Sequence, residues 1–278
     1  MVRSHSFLRH FLFCLCAAAI LPQAFADDGG SILDSKKPAA SLGNSIFEID
    51  SMQFYLPEYQ TSASQMEMVR TGDFYEGDML EKLNEILPAS PVIIDVGAGI
   101  GVRSCYWAAK SNAIRVIAFE PMVRNCDAFK RNVRLNRLQR VVILNCFAVS
   151  DDDEMLSVHY VDGGDLTRTK LKSGGEDGII DAKRLDSVKL DVNRIDLLSV
   201  SVNGFEGQVL AGAQKTLERL RPSYILLGTY ANSDDMSEAE HLLYQLGYER
   251  EMEFEHGIVL YRNVLKNDGA GDLSDGDE

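Results

Sequence analysis

The residues best equipped for chemistry lie in one short stretch, VIIDVGAGIG (92–101), and in the acid that closes the next apolar run, Glu120. The stretch is apolar up to Asp95 and then breaks on Gly97, Gly99 and Gly101. A strand that runs through a glycine turn into a helix N-terminus is expected to offer unpaired N–H groups to an anion or to the polar edge of a nucleotide. Spacing narrows the ligand. Dinucleotide-binding turns read G-x-G-x-x-G, with glycines that make room for a pyrophosphate. Here Gly97-Ala98-Gly99-Ile100-Gly101 reads G-x-G-x-G, and Asp95 stands two residues before the first glycine, where its charge would oppose a pyrophosphate. That disfavours an NAD(P)-dependent oxidoreductase.

An acid at the end of a strand suits an ammonium or ribose hydroxyls. Glu120 ends the run RVIAFE (115–120), where a carboxylate can accept both hydroxyls of a ribose. S-adenosylmethionine (SAM) carries an α-ammonium, a ribose and no phosphate. Asp95, Gly97, Ala98, Gly99, Gly101 and Glu120 are therefore the expected cofactor contacts.

The elements that must position these groups alternate. EGDMLEKLNEIL (76–87) puts Met79, Leu80, Leu83, Ile86 and Leu87 on one helical face. VIID (92–95), RVIAFE (115–120) and VVILN (141–145) read as strands, with a helix through Trp107 and Ala109 after the first. A second helix carries Cys126, Phe129 and Val133 inward. MLSVHYV (155–161) is a possible strand, and GGDLTRTKLKSGGEDG (163–178) reads as a long surface loop. IDLLSVSV (195–202), a helix from Glu206 to Leu220 and SYILLG (223–228) resume the alternation. Ser237-Glu238-Ala239-Glu240 is a capping box opening a helix that stops at Gly247. YEREMEF and GIVLYRN flank His256-Gly257 as a terminal hairpin. Strand–helix alternation with nearly continuous apolar strands predicts an α/β fold, its sheet mostly parallel, covered on both faces and closed by an antiparallel hairpin.

The ends carry different signals. Arg3 and Arg9, an apolar stretch from Phe11 to Leu21 and then Ala24-Phe25-Ala26 read as a cleavable secretory signal over residues 1–26. The stretch is too short to span a bilayer comfortably. Export to a periplasm or the exterior is expected; translation from Met52 would instead leave the chain in the cytoplasm. Residues 27–75 read as a linker and N-terminal arm, with IFEIDSMQFYLP (46–57) as a strand or extended arm. Residues 76–264 form the domain, and 265–278 a disordered acidic tail. The formal charge of −14 argues against nucleic acid or anionic lipid as a partner. Cys105, Cys126 and Cys146 follow the leader, an odd number that permits at most one internal bridge. Asp151-Asp152-Asp153-Glu154 has no turn to wrap an ion, so no metal is expected.

From about Glu76 to Arg262 the chain resembles the FkbM-type methyltransferases. The pieces that carry the likeness are VIIDVGAGIG, VIAFEP (116–121), RNVRLN (131–136), NCFAVSDD (145–152), RLDSV (184–188), IDLLSVSVNGFEGQVLAGA (195–213), RPSYIL (221–226) and LGYE (246–249). The resemblance implies a Rossmann-like class I methyltransferase sheet of seven strands. It also implies SAM as the cofactor and O-methylation of a hydroxyl on a small molecule or glycan.

One segment departs from the pattern. The fourth strand of such relatives reads K-I-D-V-E-G-x-E; here Ser199, Ser201 and Asn203 replace the lysine, the aspartate and the first glutamate, while Gly204 and Glu206 persist. Leu227-Gly228-Thr229 stands where the family commonly places a carboxylate after the fifth strand. Methyl transfer to a hydroxyl calls for a base within hydrogen-bond reach. His159, Asp162, Asp165, Glu206 and His256 remain as candidates, each with a plainer reading: a solvent-facing strand residue, loop acids, a helix-start carboxylate and a turn residue. The alternative left open is an exported, non-catalytic binding or scaffold domain of the same fold.

Overall fold

Residues 37–159, 170–172, 180–228 and 234–266 are described by the computed structural model. Strands β1 (Ala40–Gly43), β2 (Ile46–Ile49) and β3 (Met52–Tyr55) form an antiparallel sheet in that order. Helices α1 (Ala63–Thr71) and α2 (Gly77–Ile86) lead into β4 (Val92–Val96), α3 (Val102–Ala109), β5 (Arg115–Phe119), α4 (Val123–Leu135) and β6 (Val142–Asn145). Next come β7 (Ala148–Val149), β8 (Glu154–His159), β9 (Lys170–Lys172) and β10 (Ile180–Lys183), a small sheet ordered β7-β10-β8-β9. The chain closes with β11 (Leu197–Val200), α5 (Glu206–Gly212), α6 (Gln214–Leu220), β12 (Tyr224–Gly228), α7 (Asp234–Gln245), β13 (Tyr248–Phe254) and β14 (Ile258–Asn263).

The central sheet has seven strands in the order β13-β14-β12-β11-β4-β5-β6. Strands β4, β5, β6, β11 and β12 are parallel, and β14 runs antiparallel to β12 and β13. From β4 the chain steps outward to β5 and β6, then returns to the other side at β11. The carboxyl ends of β4 and β11 thus flank a topological switch point, where open α/β sheets bind ligands.

Alternation along the strands assigns the faces. Ile93, Val116, Ala118 and Leu197 pack with α2, α3, α4 and the small N-terminal sheet through Leu80, Trp107, Phe129 and Phe54. Ile94, Val96, Phe119, Leu198 and Val200 pack with α5, α6 and α7 through Val209, Leu217 and Leu243. Asp95 pairs in register with Ser199 and Ala118, so it lies on the first face. By the same alternation Ser201 and Glu120 lie there too.

Four local readings change. IFEIDSMQFYLP holds two strands: its apolar phase flips from Phe47 and Ile49 to Met52 and Phe54 across a turn at Asp50-Ser51, and all four side chains are buried. Part of the expected loop, Lys170–Lys172, pairs with β8 as β9. The helix expected from Glu206 to Leu220 breaks at Ala213. A Cβ on Gly212 would come within 1.8 Å of the Ser150 carbonyl, so the helix end abuts the main chain there, and Asp186 accepts from the Thr216 amide at 2.8 Å to cap α6. Ser237 lies inside α7, which begins at Asp234, and is no N-cap. Cys126 and Cys146 form a disulfide with a Cα separation of 6.2 Å, while Cys105 is buried and unbridged. Among the described residues no helix is long and apolar enough to cross a membrane.

Candidate functional site

The glycine turn closes on its own neighbours. Gly97 and Ala98 both donate their amides to Phe119 O at 2.9 and 3.1 Å, and Gly101 donates to Ala98 O at 2.9 Å. Gly99 donates to Glu120 Oε2 at 2.8 Å. The expectation of unpaired N–H groups is therefore corrected at these four residues: the amides hold the turn, and a pyrophosphate would find none of them on offer. The glycines serve different ends. A Cβ on Gly97 would fall 2.1 Å from Ser201 O, and one on Gly101 2.1 Å from the Phe129 ring, so both allow close packing. Gly99 has a φ of +56° and nothing within 4 Å of its added Cβ, so the middle of the turn opens onto space.

Asp95 and Glu120 flank that opening. Asp95 is 2% exposed and accepts from the Ser104 hydroxyl at 2.6 Å. Burial pushes its pKa up, against the opposing pull of Ser104, Arg103 and Ser199. Ser199 lies across the strand pair from it, close enough to favour the charged carboxylate, yet its buried hydroxyl makes no hydrogen bond of ordinary geometry among the described residues. Glu120 is 5% exposed; Oε1 accepts from Met122 N at 2.9 Å and Asn125 Nδ2 at 3.1 Å. Burial raises its pKa too; the bonds from Met122, Asn125 and Gly99 oppose the rise and the charge of Asp95 adds to it. The two acids share a face and feel each other.

An apolar pocket adjoins the Glu120 loop. Val96, Gly97, Phe119, Pro121, Phe147, Ala148, Val149, Val202 and Phe205 line about 240 Å³ of empty space, part of it open to solvent.

On the β11 side stands a group that sequence reasoning missed. Arg103 donates through Nε and Nη2 to Glu76 Oε2 at 2.9 and 2.7 Å, and through Nη1 to Ser201 Oγ at 2.8 Å. The Arg103 and Glu76 side chains are 16% and 5% exposed. The available signal was an arginine in the first turn after Gly101, facing a strand end that carries Ser201 in place of an acid.

The base candidates separate. Glu206 is buried, and its carboxylate accepts from Val202 N at 3.1 Å and Gly204 N at 2.9 Å. It braces the turn after β11. His256 is exposed at the β13–β14 tip and stacks on Tyr75, centroids 5.2 Å apart. Because Ile258 pairs with Gly228 at the end of β12, His256 lies at the same carboxyl edge of the sheet as the glycine turn. His159 ends β8, but its side chain lies outside the described residues, as do Asp162 and Asp165. Among the described residues no three His, Cys, Asp or Glu side chains gather as metal ligands.

Residues 95–250, more than half of the chain, match the methyltransferase FkbM domain. The chain belongs to the FkbM methyltransferase family. SAM is the cofactor of these FkbM methyltransferases. Methyltransferase sdnD of Sordaria araneosa is 27% identical over 197 residues, covering 59% of this chain and 75% of that protein. Methyltransferase 1 of Beauveria bassiana is 26% identical over 147 residues, 45% of this chain and 59% of its own length. A solved methyltransferase FkbM from Methylobacillus flagellatus KT superposes with a TM-score of 0.45 at 18% identity, covering 64% of this chain and 45% of that one. The chain thus spans less than two thirds of the latter two proteins.

Proposed function

We propose that this FkbM-family chain methylates a hydroxyl oxygen on a small molecule or glycan, using SAM. One observation carries the reading: two buried acids, Asp95 and Glu120, flank on one sheet face a glycine turn whose middle residue opens onto space. The donor set fits SAM. Asp95 would hold the α-ammonium, Glu120 the ribose hydroxyls, and Gly97, Ala98, Gly99 and Gly101 the turn that cradles them. When bound, SAM supplies a methyl group already activated on a sulfonium. The protein's task is then alignment and removal of the acceptor's proton. With Glu206 committed to the Val202 and Gly204 amides, His256 is the remaining described candidate to take that proton at an imidazole nitrogen.

We also propose that the chain is exported, residues 1–26 being the leader. The Cys126–Cys146 bond supports this reading, since disulfides persist in oxidising compartments. A specific observation favours a second reading, a non-catalytic scaffold or binding domain: at the end of β11 Ser199 and Ser201 stand where the family carries charge, and Arg103 is already paired with Glu76.

A thermal-shift series on the purified chain tests the proposal. Ligand at a hundred times its Kd stabilises the native state by about 2.7 kcal/mol. SAM and S-adenosylhomocysteine should both raise Tm, and NAD should not. No shift at millimolar SAM favours the scaffold reading; a shift with NAD alone favours an oxidoreductase.

A further inference from the structure

Two asparagines four residues apart, Asn132 on α4 and Asn136 capping its end, reach the outer edge of the N-terminal sheet. Asn132 is fully buried: its Oδ1 accepts from Tyr55 N at 2.6 Å, and its Nδ2 donates to Tyr55 O at 3.3 Å and to Ile100 O at 2.9 Å. Asn136 repeats the strand half of that pattern on Gln53, accepting from its amide at 3.0 Å and donating to its carbonyl at 2.7 Å. Together they give the exposed edge of β3 carboxamide partners in place of a further strand. Arg131, the residue before Asn132, lies 4.1 Å above the Tyr55 ring.

Asn132, unlike Asn136, also touches the glycine turn, whereas Asn136 donates its Nδ2 to Asn132 O at 2.9 Å. Ile100 lies between Gly99, which opens onto space, and Gly101, which rests on Phe129, one helical turn before Asn132. Helix α4 thus supports the turn twice, with an aromatic ring under Gly101 and an amide on the Ile100 carbonyl. A carboxamide bonded at both ends has no rotation left to give. Its loss would leave the Ile100 carbonyl and the half-buried Tyr55 amide without these bonds, and unmade buried hydrogen bonds are what structures yield to recover.

We propose that Asn132 is a positioning residue for the cofactor turn, tying Ile100 to β3 so that the N-terminal sheet holds the Gly99 opening in shape. This rests on the reading that the opening receives SAM. In the full chain, Asn132→Ala and Asn136→Ala each remove a clamp on β3, so both should lower Tm. Calorimetric SAM binding should separate them: about tenfold weaker in the first variant, corresponding to one lost buried hydrogen bond, and unchanged within about twofold in the second. Should Asn132→Ala fail to fold, Asn132→Ser serves in its place. Amide hydrogen exchange at Gly99 and Gly101, which needs no ligand, should be faster in the Asn132 variant than in the Asn136 variant. Equal SAM affinity and equal exchange in the two variants would overturn the proposal. Wild-type chain that binds no SAM overturns it together with the function above, whereas wild-type binding with an indifferent Asn132 variant overturns this inference alone.

Discussion

Gly99→Ala should separate fold from ligand binding within a single turn. Gly99 has a φ of +56°, where an L-residue is strained, and no atom lies within 4 Å of the Cβ it would gain. The substitution therefore costs the left-handed backbone penalty and little else, about 1 kcal/mol. In a domain of this size that lowers Tm by about 2–4 °C. Gly97→Ala adds a collision to the same penalty, since its Cβ would fall 2.1 Å from the Ser201 carbonyl, main chain that cannot rotate aside. Overpacking of that kind brings the total to roughly 2–5 kcal/mol. Ligand binding should rank the other way for the milder variant: the Gly99→Ala methyl projects into the opening, so SAM affinity should fall at least ~10-fold, or about 1.4 kcal/mol, in a protein that is nearly as stable as wild type. Urea denaturation reads the first quantity and calorimetry the second. If Gly99→Ala binds SAM like wild type, the opening is not where the cofactor sits. If Gly97→Ala proves as mild as Gly99→Ala, the close approach of the turn to β11 is wrong.

Two further outcomes are expected. Burial, the largest effect on Asp95, raises its pKa above the ordinary 3.8, so the native state keeps that proton to higher pH than the unfolded chain does. The associated stability is present below pH 3.8 and is lost as pH rises through the native pKa. Asp95→Asn does not titrate, so wild type should lose stability relative to that variant as urea midpoints are followed upward from about pH 4; a relative gain for wild type would contradict the burial argument. The Cys126–Cys146 bond closes a separation of 20 residues, for which chain entropy gives about 3 kcal/mol. Reductant should lower the wild-type urea midpoint accordingly and leave a Cys126→Ser/Cys146→Ser variant unmoved; an unchanged wild-type midpoint would mean the bridge is absent.

Much of the sheet was legible because buried parallel strands have little freedom in composition. VIIDV, RVIAF and YILLG are nearly continuous apolar runs, interrupted only by Asp95 and by Arg115 at a strand start, because both of their faces are covered. The shared face of Asp95 and Glu120 follows from the same geometry, since the period of two and the parallel register are backbone properties. What stayed hidden depended on contacts distant in sequence. Whether the amides of Gly97 and Ala98 are spent is decided by the Phe119 carbonyl on the next strand. The break at Ala213 falls where Gly212 lies against the Ser150 main chain, a contact distant in sequence. Glu206 illustrates a limit of another sort: a carboxylate at a helix start reads the same whether it takes a proton from a substrate or bonds to the turn before it. The hairpin at Asp50-Ser51 was legible after all, in the flip of apolar phase that a single strand cannot contain.

The two sides of the crevice are built from different materials. The Asp95–Glu120 side is mostly main chain, locked by glycine contacts and amide bonds, so a substitution there strains β4 or β5 directly. The β11 side is assembled from side chains on remote segments: Glu76 before α2, Arg103 on α3, Ser201 after β11 and His256 between β13 and β14. Exchanging a lysine for Ser199 and an aspartate for Ser201 leaves the buried Leu198 and Val200 that anchor β11 untouched. It does not leave the charges untouched. Arg103 is nearly buried, and removing the partner of such an ion strands its charge at a cost of several kcal/mol. A serine at 201 can hydrogen-bond the guanidinium but cannot neutralise it, so the nearly buried Glu76, 27 residues away, supplies the compensating charge. The three positions form one electrostatic unit, and a reading of the β11 motif alone sees only the residue that lacks a charge.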